Sequence, residues 1–293
     1  MLIDEIRDLL TSGELRVGVA LGSVALLLVL VVALIRGDAG RARPLPLAGL
    51  LIAGAGALAI ASSSTLPWRV VIGLAVLTVA GAISQLAFRI PLALGGAIVV
   101  ASALPDEPRW IPVAVVGTVT VGGLATAGFD RRAAATGLGP VLFAISSVGL
   151  YVTVPETDTA VAFVAATVPL AFTGWPRALA RLGDAGSLTA VALLCWVAST
   201  GGTTRPSSVV GALACLGVLV VEPASRMLLR ARAADRLPPR LLLVALHVVV
   251  VLLVARIAGL RSSTLAAVVI VSVVLAAAFV VMSWLIRSAE PSR

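Results

Sequence analysis

Apolar residues fill the chain in long runs, and polar residues gather in short clusters between them. The run "LLLVLVVALI" (26–35) gives way to "RGDAGRARP", and "LLLVALHVVVVLLVARIAG" (241–259) gives way to "LRSST". A helix needs about 20 mostly apolar residues to cross a bilayer. Charges and prolines cut the chain into segments of about that size at 17–35, 45–62, 68–88, 90–104, 111–129, 133–154, 160–175, 187–200, 209–225, 241–258 and 264–286. The pattern predicts an all-α, polytopic transmembrane bundle of about eleven helices. Nine to eleven is the range, because 90–104, 187–200 and 241–258 are weak spans. It leaves no room for a soluble domain. The expected organisation is an interfacial amphipathic segment at 1–14, one transmembrane helical domain at 15–287 and a short cytoplasmic tail at 288–293. In the first segment Leu2, Ile3, Ile6, Leu9 and Leu10 share a helical face opposite Asp4, Glu5, Arg7 and Asp8.

Composition supports the bilayer as solvent. The 293 residues are 60% hydrophobic and 12% charged, with mean hydropathy +1.11. Soluble domains carry about a quarter charged residues, and a single core of this size does not bury so much apolar surface. Every one of the 22 basic residues is arginine, and with the abundant Ala, Val, Leu and Gly this suggests a GC-rich bacterial source. The acidic start "MLIDEIRDLL" lacks the basic n-region of a secretory signal, so no signal peptide is expected.

The net charge of +8 looks at first like a nucleic-acid footprint, but the arginines sit between apolar runs and read instead as topology signals. With the N-terminus outside and the C-terminus inside, the inner side collects 15 arginines and the outer side 7 of the total 22. Trp68 and Trp110 then start spans at the outer face, while Trp175 and Trp284 end theirs at the inner one, as interfacial rings prefer. The loop "RMLLRARAADRLPPR" places Arg226, Arg230, Arg232, Arg236 and Arg240 on the cytoplasmic side. It is either the strongest positive-inside signal or a contact for anionic lipid headgroups.

Candidate chemistry is sparse. No acid falls at the centre of a span. Glu222 lies four residues before Arg226 and next to Pro223, which suggests a helix-neighbour ion pair or a cation site at a broken helix end. His247 is the only histidine and the most deeply placed titratable group. It is either hydrogen-bonded across a helix interface or part of a proton relay. Gln85 is an intramembrane polar group suited to an interhelical hydrogen bond. In the middle of the chain Thr118, Gly122 and Thr126 form one stripe. Pro140, Ser147 and Tyr151 share a second face, and Thr167 precedes Pro169. These residues either pack helices closely or line a polar cavity opening near Tyr151.

Asp106, Glu107, Glu156 and Asp158 gather at the outer face. "ALPDEPRW" and "YVTVPETDTA" are good turn and cap chemistry, and they are also acids near a membrane surface, where a transferase would use them. There is no P-loop and no H-E-x-x-H, and one histidine does not make a zinc site, so no metal or cofactor is expected. Cys195 and Cys215 both lie inside apolar runs, which argues against an extracellular disulfide framework.

The leading expectation is a permease or translocase for a small molecule or lipid-linked intermediate in a bacterial cytoplasmic membrane. The alternatives are a non-catalytic membrane subunit of a cell-envelope complex and a membrane transferase using the outer carboxylates. The lipid bilayer is the expected partner, nucleic acid is not, and the sequence names no protein partner. The map itself is testable. Topology reporters fused after Asp130 and after Arg232 are both expected to read cytoplasmic, and a periplasmic signal from either contradicts it.

Overall fold

Proline placement and short polar breaks set where the helices begin. Pro67 precedes one, Pro206 opens another, and Pro239 precedes a third, positions where a missing N–H costs nothing. The computed structural model describes residues 12–35, 44–104, 108–154, 158–175, 178–201, 206–229, 239–259 and 264–288. Among these the chain is all-helical, with twelve helices. They are α1 (Gly13–Ile35), α2 (Ala48–Ser63), α3 (Trp68–Ala82), α4 (Leu86–Ala101), α5 (Trp110–Arg132) and α6 (Leu138–Thr153). The remainder are α7 (Asp158–Thr173), α8 (Asp184–Gly201), α9 (Pro206–Ala214), α10 (Gly217–Leu229), α11 (Arg240–Gly259) and α12 (Thr264–Ser288). The one β-bridge among the described residues joins Leu45 to Ala180.

Every expected apolar run is helical, but three are not continuous; the 133–154 run begins as a 3₁₀ turn at Ala134–Thr136 and becomes α6 only after Gly137, at φ 66°. The 209–225 run splits into α9 and α10, bent by 61° at a break, which raises the helix count above the expected range. The break falls at Cys215–Leu216, where Gly217 takes a φ of 26° that a residue with a Cβ rarely adopts. The 68–88 run ends early at Ala82 and turns through Ile83–Gln85 into α4. Gln85 is therefore exposed in a turn, where its carbonyl accepts from Phe88 and Arg89 N–H, and is not the interhelical group expected of it. The turn lets Arg89 enter the first turn of α4 and reach Asp184.

Length limits what crosses a membrane. Among the described residues three helices are long and apolar enough, namely α1, α5 and Leu265–Arg287 of α12, or four if the bent α9–α10 pair forms one span. By contrast α2, α3, α4 and α6 have only 15 or 16 residues. Two helices change pitch internally. In α5, Thr118–Gly122 form a wide π turn. In α7 the chain tightens into a 3₁₀ turn at Val168–Thr173, where Pro169 removes a backbone donor.

The centre of the bundle is α8. Its residues from Ser187 to Ser199 are buried on every side, as expected of a helix surrounded by other helices. It packs on α2, α3 and α5 through near backbone contact. Gly49 of α2 faces Gly186, Gly81 of α3 faces Ala185, and Gly123 of α5 faces Leu188. A Cβ on Gly81 would lie 2.2 Å from Ala185 Cα, and one on Gly49 would lie 2.6 Å from the Gly186 carbonyl carbon. Small residues are thus what lets four helices share one axis. Gly81→Ala is expected to destabilise the fold by about 1–3 kcal/mol through overpacking. Gly95→Ala, which adds a methyl into open space, is expected to be neutral or mildly stabilising. Thermal unfolding in detergent checks both, and an unchanged midpoint for Gly81→Ala contradicts this packing.

Candidate functional site

Two polar regions interrupt the apolar interior. The first occupies one end of the bundle, where the starts of α2, α4, α6, α8 and α11 meet the ends of α3, α5, α7 and α10. Its organiser is Asp130, in the last turn of α5 and almost fully buried. The Asp130 Oδ1 accepts from Leu182 N–H and its Oδ2 from Gly183 N–H, both at 2.9 Å. Arg181 Nη1 stands 3.6 Å from the same carboxylate. A buried carboxylate is tolerable only when such donors replace its water.

These contacts fix the strand-like segment leading into α8. Leu179 and Ala180 N–H donate to Thr173 O, and Leu45 N–H donates to Leu179 O. Arg181 N–H returns a bond to Leu45 O, while Ala48 and Gly49 N–H donate to Arg181 O and Leu182 O. Gly183 then turns at φ 76° into α8. The segment's polar backbone is thereby paired inside the protein.

Ion pairs surround this knot. Asp184, the first residue of α8, is shared by two arginines. Arg89 Nη1 bonds its Oδ2 at 2.8 Å, and Arg131 bonds both oxygens, Nε to Oδ1 at 2.9 Å and Nη2 to Oδ2 at 2.6 Å. The Arg89 side chain is 4% exposed, Asp184 24% and Arg131 53%, so the cluster grades from interior to solvent. Glu222 is fully buried and pairs with Arg226 on its own helix and with Arg132 Nη2 at 2.7 Å. Arg240 Nη2 donates to Ala135 O at 3.3 Å. Six arginines thus stand among three carboxylates here.

The second region lies inside the bundle, at the α9–α10 break. His247 is buried on α11, about 10 Å along the helix from Arg240. Its Nε2 is 3.0 Å from Leu142 O and 3.0 Å from Ser146 Oγ. A carbonyl only accepts, so Nε2 carries the proton and the lone pair of the neutral ring sits on Nδ1. That Nδ1 has no partner among the described residues. It lies 3.6 Å from where a Cβ on Gly217 would stand. The Ser146 hydroxyl is 2.9 Å from Cys215 O, a carbonyl at the break. The polar group exposed by the break is thus met by a hydroxyl from α6, which in turn contacts the histidine.

The expected cavity residues are scattered by comparison. Thr118 and Tyr151 are half-buried, Pro140 is buried, and Gly122 packs against Leu216 within the π turn. Ser147 Oγ turns back to Phe143 O at 3.0 Å, and Thr167 Oγ1 likewise to Phe163 O. Thr126 is buried, and its hydroxyl has no partner among the described residues. An open groove of about 880 Å³ lies elsewhere, between α2 and α3, lined by Gly54, Leu58, Ser62, Thr65, Leu66 and Val71 among others. Asp158 is exposed at the start of α7, whereas Asp106, Glu107 and Glu156 lie outside the described residues. So do Arg230, Arg232 and Arg236, and almost all of the 1–14 segment. Among the described residues no three His, Cys, Asp or Glu side chains gather closely enough for a metal ion.

Sequence reasoning passed over Asp130, Asp184 and Arg89. "GFDRR" shows one acid beside two arginines, which reads as an ordinary helix end. The partners of Asp130 are backbone N–H groups, which leave no residue-type signature. Asp130→Ala leaves two buried N–H groups and Arg181 without their acceptor, and is expected to cost about 3–5 kcal/mol. Asp130→Asn keeps one acceptor oxygen and is expected to cost less. Equal losses for the two, measured by unfolding in detergent, would contradict the role given to both oxygens. No model of a known family matches the chain, and no curated protein matches it, so the chemistry of these regions is read from their geometry.

Proposed function

We propose that the chain is a multi-pass membrane permease or translocase whose transport path passes the α9–α10 break. One observation carries this reading. A helix pair with the composition of a single span is broken in its middle, and the break meets the sole histidine and a buried serine hydroxyl. Discontinuous spans of this kind form substrate and coupling-ion sites in transporters, because the freed carbonyls and the helix N-terminus supply polar groups at mid-depth. Here the Cys215 carbonyl, the start of α10 and the His247–Ser146 pair supply them.

In this reading the knot around Asp130 and Asp184 closes the inner end, and the break is the point reached from either side in turn. The arginine distribution supports placing the knot in the cytoplasm. Arg89, Arg131, Arg132, Arg181, Arg226, Arg240 and Arg287 lie at its end, and Arg16, Arg69, Arg109 and Arg256 at the other. The reading is of an N-out, C-in bundle, and a bacterial cytoplasmic membrane is the proposed location. The transferase alternative rests on four acids of which only Asp158, at the start of α7, is described, and gains no support from either polar region.

The chain carries its own probe. Cys195 and Cys215 are both free and buried, and Cys215 sits at the break. In membrane vesicles the Cys195→Ser protein, with Cys215 as its single thiol, is expected to react slowly with membrane-impermeant thiol reagents, and the rate is expected to change with the side of addition. Complete protection from both sides, with labelling recovered on unfolding, would overturn the permease reading.

A further inference from the structure

The ion pairs at the start of α8 are unbalanced. Two guanidinium groups, Arg89 and Arg131, converge on the single carboxylate of Asp184. The start of a helix adds partial positive charge and N–H groups without intrahelical acceptors. Arg89 is buried, yet its Nε and Nη2 have no partner among the described residues. A guanidinium is a rigid planar fork, so with Nη1 on Asp184 these two donors lie beside the same helix start. Ser187, one turn into α8, is fully buried, and its hydroxyl also has no partner among the described residues. Thr126 adds a second such hydroxyl, on the face of α5 that carries Gly123 and Asp130 toward α8. Unpaired buried donors are costly, and here they collect where three guanidinium groups, Arg89, Arg131 and Arg181, face two carboxylates, Asp184 and Asp130.

We propose that Arg89, Arg131 and the N-terminus of α8 form a phosphate-binding site, occupied in this state by the Asp184 carboxylate. The ligand class follows from the donors. The Asp184 carboxylate leaves Nε and Nη2 of Arg89 unused among the described residues, whereas a phosphate offers at least three acceptor oxygens and up to two negative charges. Helix starts and arginine forks are the groups that hold phosphate best. Access is from the water side, because Arg131 is half exposed and Asp184 partly so. An entering phosphate takes Arg131 first, then displaces Asp184 from Arg89 and accepts from Ser187. Binding stands independently of transport. The further statement that phosphate is the recognised part of the cargo rests on the permease reading.

The test uses the full-length protein purified in detergent and in nanodiscs. Inorganic phosphate and pyrophosphate are titrated against the thermal unfolding midpoint and by calorimetry, with sulfate and chloride at matched ionic strength as controls. Pyrophosphate is expected to stabilise the protein saturably and beyond the controls. Arg131→Gln, a change at an exposed side chain, is expected to weaken binding about tenfold, the effect of losing a charge-assisted hydrogen bond. Asp184→Asn removes the internal competitor and is expected to tighten binding, an outcome that a merely structural ion pair does not give. Nanodiscs of phosphatidylcholine with and without phosphatidic acid distinguish the sources. Competition by phosphatidic acid assigns the site to a lipid headgroup, and its absence assigns it to a free phosphate compound. Stabilisation no greater than that by sulfate, or binding unchanged in Arg131→Gln, overturns the proposal. Pyrophosphate binding combined with complete protection of Cys215 would retain the site and remove the permease.

Discussion

The buried carboxylate of Asp130 is the contact on which the arginine-rich end of the bundle depends. It holds two consecutive backbone N–H groups, and those groups belong to the segment that launches the central helix. The start of α8 is therefore positioned by a charge on α5 and by backbone bonds from the α2 approach, alongside the buried Leu45, Ala48, Ala180 and Leu182. Once α8 is set, Gly49, Gly81 and Gly123 allow α2, α3 and α5 to close on it. The hydrogen bonds and the close glycine contacts act on the same helix start. In an apolar surrounding an unmet backbone donor is expensive, which makes the paired segment costly to disrupt.

The two polar regions differ in how completely they are satisfied. Around Asp130 both oxygens and the neighbouring backbone are paired, which suits a permanent structural centre. At Asp184 and at the α9–α10 break, donors and a ring nitrogen have no partner among the described residues. Fully satisfied networks rigidify a core, while partly satisfied ones mark places where another group fits. The distinction separates the part of the bundle that holds from the parts proposed to bind.

Much of the fold was legible in the hydrophobic pattern. Each apolar run became helix, and the Glu222–Arg226 pair was visible as an i, i+4 spacing. The breaks were harder. No proline marks Cys215–Leu216, while Pro91 and Pro223 both sit inside helices that continue through them. Gly217 was the only local hint, and glycine is too common here, at 27 residues, to single out. Gln85 was misplaced because Ile83–Gln85 has no strong turn residue. The turn brings Arg89 to Asp184, almost a hundred residues away, a contact that no local spacing shows. Arg132 joined Glu222 across a similar separation, which no local spacing reveals.

The brevity of α2, α3, α4 and α6 has a mechanical consequence. At 1.5 Å per residue their 15 or 16 residues reach about 22–24 Å, against roughly 30 Å of hydrocarbon. Beside the longer α1 and α12, they give the molecule an uneven apolar height around its perimeter. If the chain is the multi-pass membrane protein proposed above, a bilayer meeting that perimeter has to pinch along the α2–α4 side and relax along the other. Such a shape costs elastic energy that depends on lipid chain length. The protein would therefore be drawn to thinner regions of membrane and would respond to acyl-chain length even where no headgroup is recognised.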